Sequence, residues 1–184
     1  LFLLSPACNG DDDDDSSSAG GDDDDDSAEQ LPPPGPFMAG TATVEIPAPL
    51  GSPTIGYGGV VSDPSPTPFA EIIPGTTRQH GALTLRAVAL SRGDHYEAIF
   101  VASDLLYMGS QARSGILIEL ENRLGRDLDD ALILGSNHTH GGPGRFVDKT
   151  GPFELGFDRF DPEMLVRLQT AAADVVELAL ADLA

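Results

Sequence analysis

The chain has 184 residues, enough for one domain with a buried core, and a formal charge of -20. Residues 1–36 contribute -11, from ten Asp and one Glu without Lys or Arg, and residues 37–184 contribute -9, from 10 basic and 19 acidic residues. Nucleic acid binding depends largely on Lys and Arg at phosphates, so this composition excludes DNA and RNA as partners. It leaves the oligomeric state open.

The amino-terminal residues are apolar and lead to Cys8, the only cysteine in the sequence. A single cysteine cannot form an internal disulfide, and after an apolar run it favours an anchor over a fold element. Residues 1–8 resemble the end of a bacterial lipoprotein signal peptide. This resemblance implies that Cys8 is lipidated and holds the protein at a membrane surface of the bacterial cell envelope or outside the cell. The alternative is a free thiol.

Residues 9–36 are predicted to form a disordered tether. Two runs of five aspartates, at 11–15 and 22–26, cannot bury apolar area and repel each other. They lack the Gly and Glu offsets of a calcium-binding loop. The proline-rich run at 31–36 then stiffens the chain before the folded part begins near Phe37.

Three segments in the first half of the folded part are predicted to be strands. Thr41–Ile46 alternates apolar and polar residues. Leu83–Leu90 and Tyr96–Ser103 are joined by Ser91–His95, a connection of hairpin length in which His95 is expected to lie in a solvated turn. The segment that ends at Ser103 becomes wholly apolar, which predicts a position deep in the sheet.

A βαβ unit is predicted next. A helix follows Asp104 and runs to about Leu124, with Gly125 just past its end. The apolar run Ala131–Leu134 then returns as a strand, so the two strands flanking the helix form a parallel pair. The predicted fold class is therefore α/β, with a mixed sheet, at least one βαβ unit and flanking helices.

The carboxyl-terminal segment is predicted to be an amphipathic helix. Asp161 is a suitable N-cap, with Pro162 at the first helical position. One apolar stripe follows, formed by Leu165, Leu168, Ala172, Val175, Val176, Ala179 and Leu183. The sequence stops at Ala184 without a helix breaker, and it begins without Met. We therefore expect an incomplete domain from a longer protein.

The loop after the second strand of the βαβ unit contains His138 and His140 among glycines. Side chains alternate along an extended backbone, so a His-x-His pair is expected to face one metal ion or one substrate oxygen. The other interpretation is two loop histidines at a turn, because a metal site normally needs three or four ligands. The parallel pairing should bring Asp104 and His138 to the same edge of the sheet.

The histidine loop resembles the Thr-His-Thr-His-Ser-Gly-Pro-Gly motif of the neutral (non-lysosomal) ceramidase family, and three further segments are similar to that family in the same order. The similar residues are Ser136-Asn137-His138-Thr139-His140-Gly141-Gly142-Pro143-Gly144, Gly40–Pro47 with residues 56–58, Leu85–Leu90 and Phe100–Leu106. The resemblance extends over roughly residues 40–184 and identifies residues 37–184 as the amino-terminal part of a catalytic domain.

The family contains zinc amidohydrolases that cleave the N-acyl bond of ceramide. The resemblance implies that His138 is a Zn²⁺ ligand and that the catalytic residue His140 polarises the carbonyl or moves protons, while the remaining ligands come from outside this sequence. Asn137, Gly141 and Glu45 depart from the family's usual Thr, Ser and Asp, so the substrate is expected to be ceramide or a related lipid or amide. Residues expected at the edge of the site are Asp104, Asn137, Gly142 and Arg145.

A second hypothesis belongs to another functional class. In it, the chain is a non-catalytic envelope lipoprotein whose His138-x-His140 loop binds a metal or a sugar. His80 and His95 are assigned to neither arrangement, because each is predicted to be an exposed loop residue.

Overall fold

A computed structural model of the chain describes residues 35–55, 67–71, 73–148 and 158–184. The predicted lipidation site at Cys8, and the predicted tether up to residue 34, lie outside the described residues. So do residues 56–58 of the family resemblance. Within the described ranges, none of the helices has the length and apolarity that a membrane crossing requires.

The described residues form a mixed sheet with two helices. In chain order the elements are β1 (Phe37–Glu45), β2 (Thr84–Arg92), β3 (His95–Ser103), α1 (Ser110–Leu124), β4 (Leu132–Ser136) and α2 (Pro162–Ala181). The strand order is β1-β2-β3-β4, with antiparallel pairs β1–β2 and β2–β3 and a parallel pair β3–β4. The predicted α/β fold with its βαβ unit is confirmed.

The hairpin between β2 and β3 is tighter than predicted. The strands continue to the pair Arg92 and His95, so only Gly93 and Asp94 form the turn. Gly93 has φ +57, a left-handed conformation that glycine adopts without steric cost. His95 is therefore the first residue of a strand and not a turn residue, although its side chain is exposed as expected.

Both predicted helices are present, although α1 begins only at Ser110, several residues after Asp104, and α2 ends at Ala181, before Leu183 of the predicted stripe. Gly125 follows α1 in the left-handed conformation, and its N–H donates to the Glu121 carbonyl. At the start of α2, the Asp161 carboxylate accepts from the Glu163 N–H, at 3.0 Å. The apolar stripe of α2 is buried against the sheet, and α1 packs against α2.

The carboxyl end of α2 is attached to the edge strand β1. The Thr41 N–H donates to the Asp182 carboxylate at 2.9 Å, and Ala39 and Ala184 exchange two backbone hydrogen bonds. A Cβ atom on Gly40 would lie 2.1 Å from the Ala179 carbonyl oxygen. Glycine at position 40 therefore permits the close approach of helix and strand.

The opposite face of the sheet carries a row of exposed apolar side chains. Val88, Phe100 and Ile133 are paired in register on three neighbouring strands and are 40%, 44% and 48% exposed. Parallel strands are ordinarily covered on both faces. In the described part of the chain, β3 and β4 are covered on only one face.

Candidate functional site

The ends of β3 and β4 are held together by polar contacts. Ser103 and Ser136 are paired in register, and their hydroxyl oxygens lie 2.8 Å apart. The Asn137 N–H donates to the Ser103 carbonyl at 3.1 Å. As predicted from the parallel pairing, Asp104 and the histidine loop therefore leave the sheet at the same edge.

Asp104 is the centre of the hydrogen-bond network at this edge. Its Oδ2 accepts from both the backbone N–H and the hydroxyl of Thr84, each at 2.8 Å, and from the Arg86 guanidinium at 3.3 Å. Its Oδ1 accepts from the Asn137 amide at 2.7 Å. Burial of the carboxyl group opposes ionisation, but these donors outweigh it and hold the pKa of Asp104 below its usual value.

Asn137 connects this network to the histidine loop. Its Nδ2 donates to Asp104, while its Oδ1 accepts from the Thr139 N–H at 3.1 Å. Because an ionised carboxylate can only accept, Asp104 fixes which end of the Asn137 amide faces the loop. The Thr139 hydroxyl then accepts from the Gly141 N–H at 3.2 Å. Two successive side-chain turns thus stabilise the backbone between positions 137 and 141.

The two histidine rings are close together, but not for the predicted reason. The loop is not extended, because His138 has φ +60 in the left-handed region. Such a conformation is costly for a side chain with a Cβ and is typical of functional loops. The rings of His138 and His140 meet edge to face, with centroids 5.5 Å apart and an interplanar angle of 73°. A turn, not strand alternation, produces the pair.

Gly142 anchors the far end of the loop. It is buried, and its carbonyl accepts from the Ile55 N–H at 3.2 Å. A Cβ atom here would lie 3.1 Å from the Asp104 carbonyl oxygen and 3.3 Å from a methyl carbon of Leu105. The absence of a side chain at position 142 thus lets the loop pack directly on the chain that leaves β3.

Arg145 faces the segment before α2. It is 8% exposed with φ +69, its Nε donates to the Arg159 carbonyl at 3.0 Å, and its guanidinium donates to Glu71 at 3.1 Å. These contacts join three separate segments of the chain. The side chain therefore stabilises the surroundings of the loop through packing and hydrogen bonds.

Sequence reasoning missed the supporting residues Thr84 and Thr139. Thr139 could have been predicted, because an Asn side chain often accepts a hydrogen bond from the backbone N–H two residues later, which forms an Asx turn. Thr84 could not, because its approach to Asp104 depends on the register of β2 against β3.

The histidine loop provides only some of the ligands that a zinc site requires. Imidazole is a suitable zinc ligand, and two imidazoles lie close together on an accessible loop. In the part of the chain that the structure describes, no cluster of three or more His, Cys, Asp or Glu side chains is arranged to hold a metal ion. His80 is exposed on a separate loop segment.

Comparison with known proteins finds similarity at the level of the fold. No family model matches the chain, and no curated protein matches it. Among solved structures, the neutral ceramidase from Pseudomonas aeruginosa matches with a TM-score of 0.65 and 19% identity over 80% of this chain. A ceramidase complexed with C2 matches with a TM-score of 0.64 and 18% identity, also over 80% of this chain. The chain spans 22% of the length of each.

Proposed function

We propose that the chain is part of a zinc-dependent amidohydrolase of the neutral ceramidase type, which hydrolyses the N-acyl amide bond of ceramide or a related lipid or amide. The observation that carries this proposal is the placement of His138 and His140, with ring centroids 5.5 Å apart, at the carboxyl end of a strand in a ceramidase-like fold. Ligands and reacting groups gather at such strand ends in α/β proteins.

In this proposal, the two histidines have different roles. His138 is a zinc ligand, and its exposed position on the loop leaves it accessible. Zinc, when bound, supplies a Lewis acid that activates water and polarises the scissile carbonyl. His140 transfers protons beside it, since an imidazole can exchange protons near neutral pH. Asp104 and Asn137 fix the loop backbone and thereby the direction in which both rings point.

Metal analysis and kinetics of histidine variants of the complete protein test these roles. Removal of a ligand should cost the metal itself, so His138→Ala is expected to lose both zinc and activity. Removal of a proton-transfer group should cost rate, so His140→Ala is expected to keep zinc and hydrolyse an N-acyl amide at least about a hundredfold more slowly. His95→Ala, at the exposed start of β3, is the matched control.

Other outcomes would reverse the roles or reject the enzyme. Full zinc in His138→Ala, or zinc loss in His140→Ala alone, would show that the two assignments are wrong. Zinc binding without any amide hydrolysis by the complete protein would favour a non-catalytic binding module. The 184-residue chain by itself is expected to be inactive and to bind zinc weakly, because one or two ligands hold the ion poorly.

The same proposal places the protein at a bacterial membrane surface through lipidated Cys8. A Cys8→Ser protein in its native host is expected in the soluble fraction. Continued membrane association of that variant would reject the anchor.

A further inference from the structure

A cleft of about 430 Å³ lies beside the histidine loop. One wall is residues 141–143, which directly follow His140, and the others come from residues 48–50, 52–54, 76 and 78–83. The surface that lines the cleft is mainly apolar and includes Leu50, Pro53, Leu83 and Pro143. An apolar cleft with few polar groups is typical of a site for a small ligand.

Arg78 is the one permanently charged side chain that lines this cleft, and the described lining residues include no Asp or Glu. Among the described residues Arg78 has no partner, which is unusual for this protein. Each other arginine in the described ranges has a carboxylate, carbonyl, ring or other partner, as expected in a chain of net charge -20. For Arg78, the described structure contains no hydrogen bond, ion pair or ring contact.

We propose that this cleft binds a carboxylate amphiphile, with the carboxylate at Arg78 and the aliphatic chain on the apolar wall. A guanidinium offers paired N–H donors that match the two oxygens of a carboxylate. Apolar walls remove the alkyl chain from water, which adds affinity in proportion to the area buried. Both features lie in one cleft, so a single ligand can use them together.

The cleft adds a substrate class to the proposed function, but the binding proposal stands independently of catalysis. A ligand in the cleft lies against residues 141–143 and hence beside the histidine loop. If the loop hydrolyses amides, substrates that carry a carboxylate, such as an N-acyl amino acid, are preferred over uncharged amides. All the lining residues belong to this chain, so binding can be measured without zinc and without the remaining part of a catalytic domain.

Calorimetric titration of the 184-residue chain with octanoate, 1-octanol and octylammonium tests the proposal, because the three probes share a chain and differ in charge. Octanoate is expected to bind most tightly. Arg78→Ala should weaken octanoate binding about tenfold or more, as expected for loss of a hydrogen bond to a charged group, and should leave octanol binding unchanged. Gln79→Ala, on the same wall, is the uncharged control.

Several results would overturn the proposal. These are octanoate and octanol binding equally well, unchanged octanoate binding in Arg78→Ala, or no binding of octanoate. A fourth probe, N-octanoylglycine, distinguishes a carboxylate carried by an intact amide substrate from the carboxylate of the acid that hydrolysis releases. Tighter binding than octanoate indicates a carboxylate on the substrate, whereas weaker binding indicates the released acid. None of these measurements requires catalysis. A negative binding result therefore leaves the amidohydrolase proposal intact, and a negative result for amide hydrolysis leaves the binding proposal intact.

Discussion

Two regions of the molecule are stabilised in different ways. The face of the sheet that α2 covers carries aliphatic side chains with almost no exposed surface. The edge where β3 and β4 end is held by hydrogen bonds between polar side chains and the backbone. On the covered face, residues such as Leu85, Val101 and Leu168 are fully buried. At the edge, four hydrogen bonds converge on the single carboxylate of Asp104.

This difference has consequences for stability and function. Apolar packing is distributed over many side chains, so its contribution scales with area and has little directionality. The edge depends on direction, because each donor needs an acceptor in the right place. We therefore expect core substitutions to change the free energy of unfolding without changing the loop, and edge substitutions to change the loop while the fold persists.

The largest effect on stability is expected at Leu168, in the middle of α2. Leu168→Ala removes a fully buried side chain and leaves a cavity, so the free energy of unfolding should fall by about 2–5 kcal/mol. Val166→Ala, on the same helix but 56% exposed, should change it by less than about 0.5 kcal/mol. Urea unfolding measures both. Equal effects of the two substitutions would contradict the described burial of α2.

A smaller effect is expected at the end of the histidine loop. Gly142→Ala places a methyl group 3.1 Å from the Asp104 carbonyl oxygen, so the loop must shift, and such overpacking costs about 1–3 kcal/mol. Gly141→Ala is a suitable control, because its Cβ would lie 3.5 Å from the Thr139 hydroxyl, an ordinary contact. Backbone amide shifts of residues 137–141 should move in the first variant and remain close to the original in the second.

The same contrast explains how far the sequence could be interpreted. Periodic patterns and short apolar runs predicted the two helices and the four strands, because the covered face consists of apolar residues. The order strand, helix, strand predicted the parallel pair. It also placed Asp104 and His138 at one edge. These patterns failed for the loop conformation, since the left-handed turn at His138 is held by Asn137 and Asp104, whose contact depends on strand register.

The cleft could not be predicted for a related reason. Arg78 and Pro143 are 65 positions apart by their numbering and line the same cleft only through the tertiary arrangement of three segments. Nothing in the local sequence around Arg78 distinguishes it from the arginines that form ion pairs. That Arg78 has no partner among the described residues is visible only in the folded structure.

The smallest net effect on stability is expected when the side chains of Asp104 and Asn137, which orient the loop, are exchanged with each other. Asp104→Asn leaves one acceptor for the donors of Thr84 and Asn137, and Asn137→Asp places a second carboxylate against the first. Each single substitution should lower the free energy of unfolding by about 1–3 kcal/mol and weaken protection of the Thr139 N–H from exchange. The double substitution again pairs the donors of Thr84, Thr139 and position 104, because the new amide at position 104 can accept from Thr84 and donate to the new carboxylate at position 137, which still accepts from Thr139. Only the exposed Arg86 guanidinium loses its carboxylate partner at position 104. Its stability and Thr139 protection should return close to those of the original chain, so the two substitutions should be strongly non-additive. If the double variant instead loses the sum of the two single effects, the contact between Asp104 and Asn137 does not control the histidine loop.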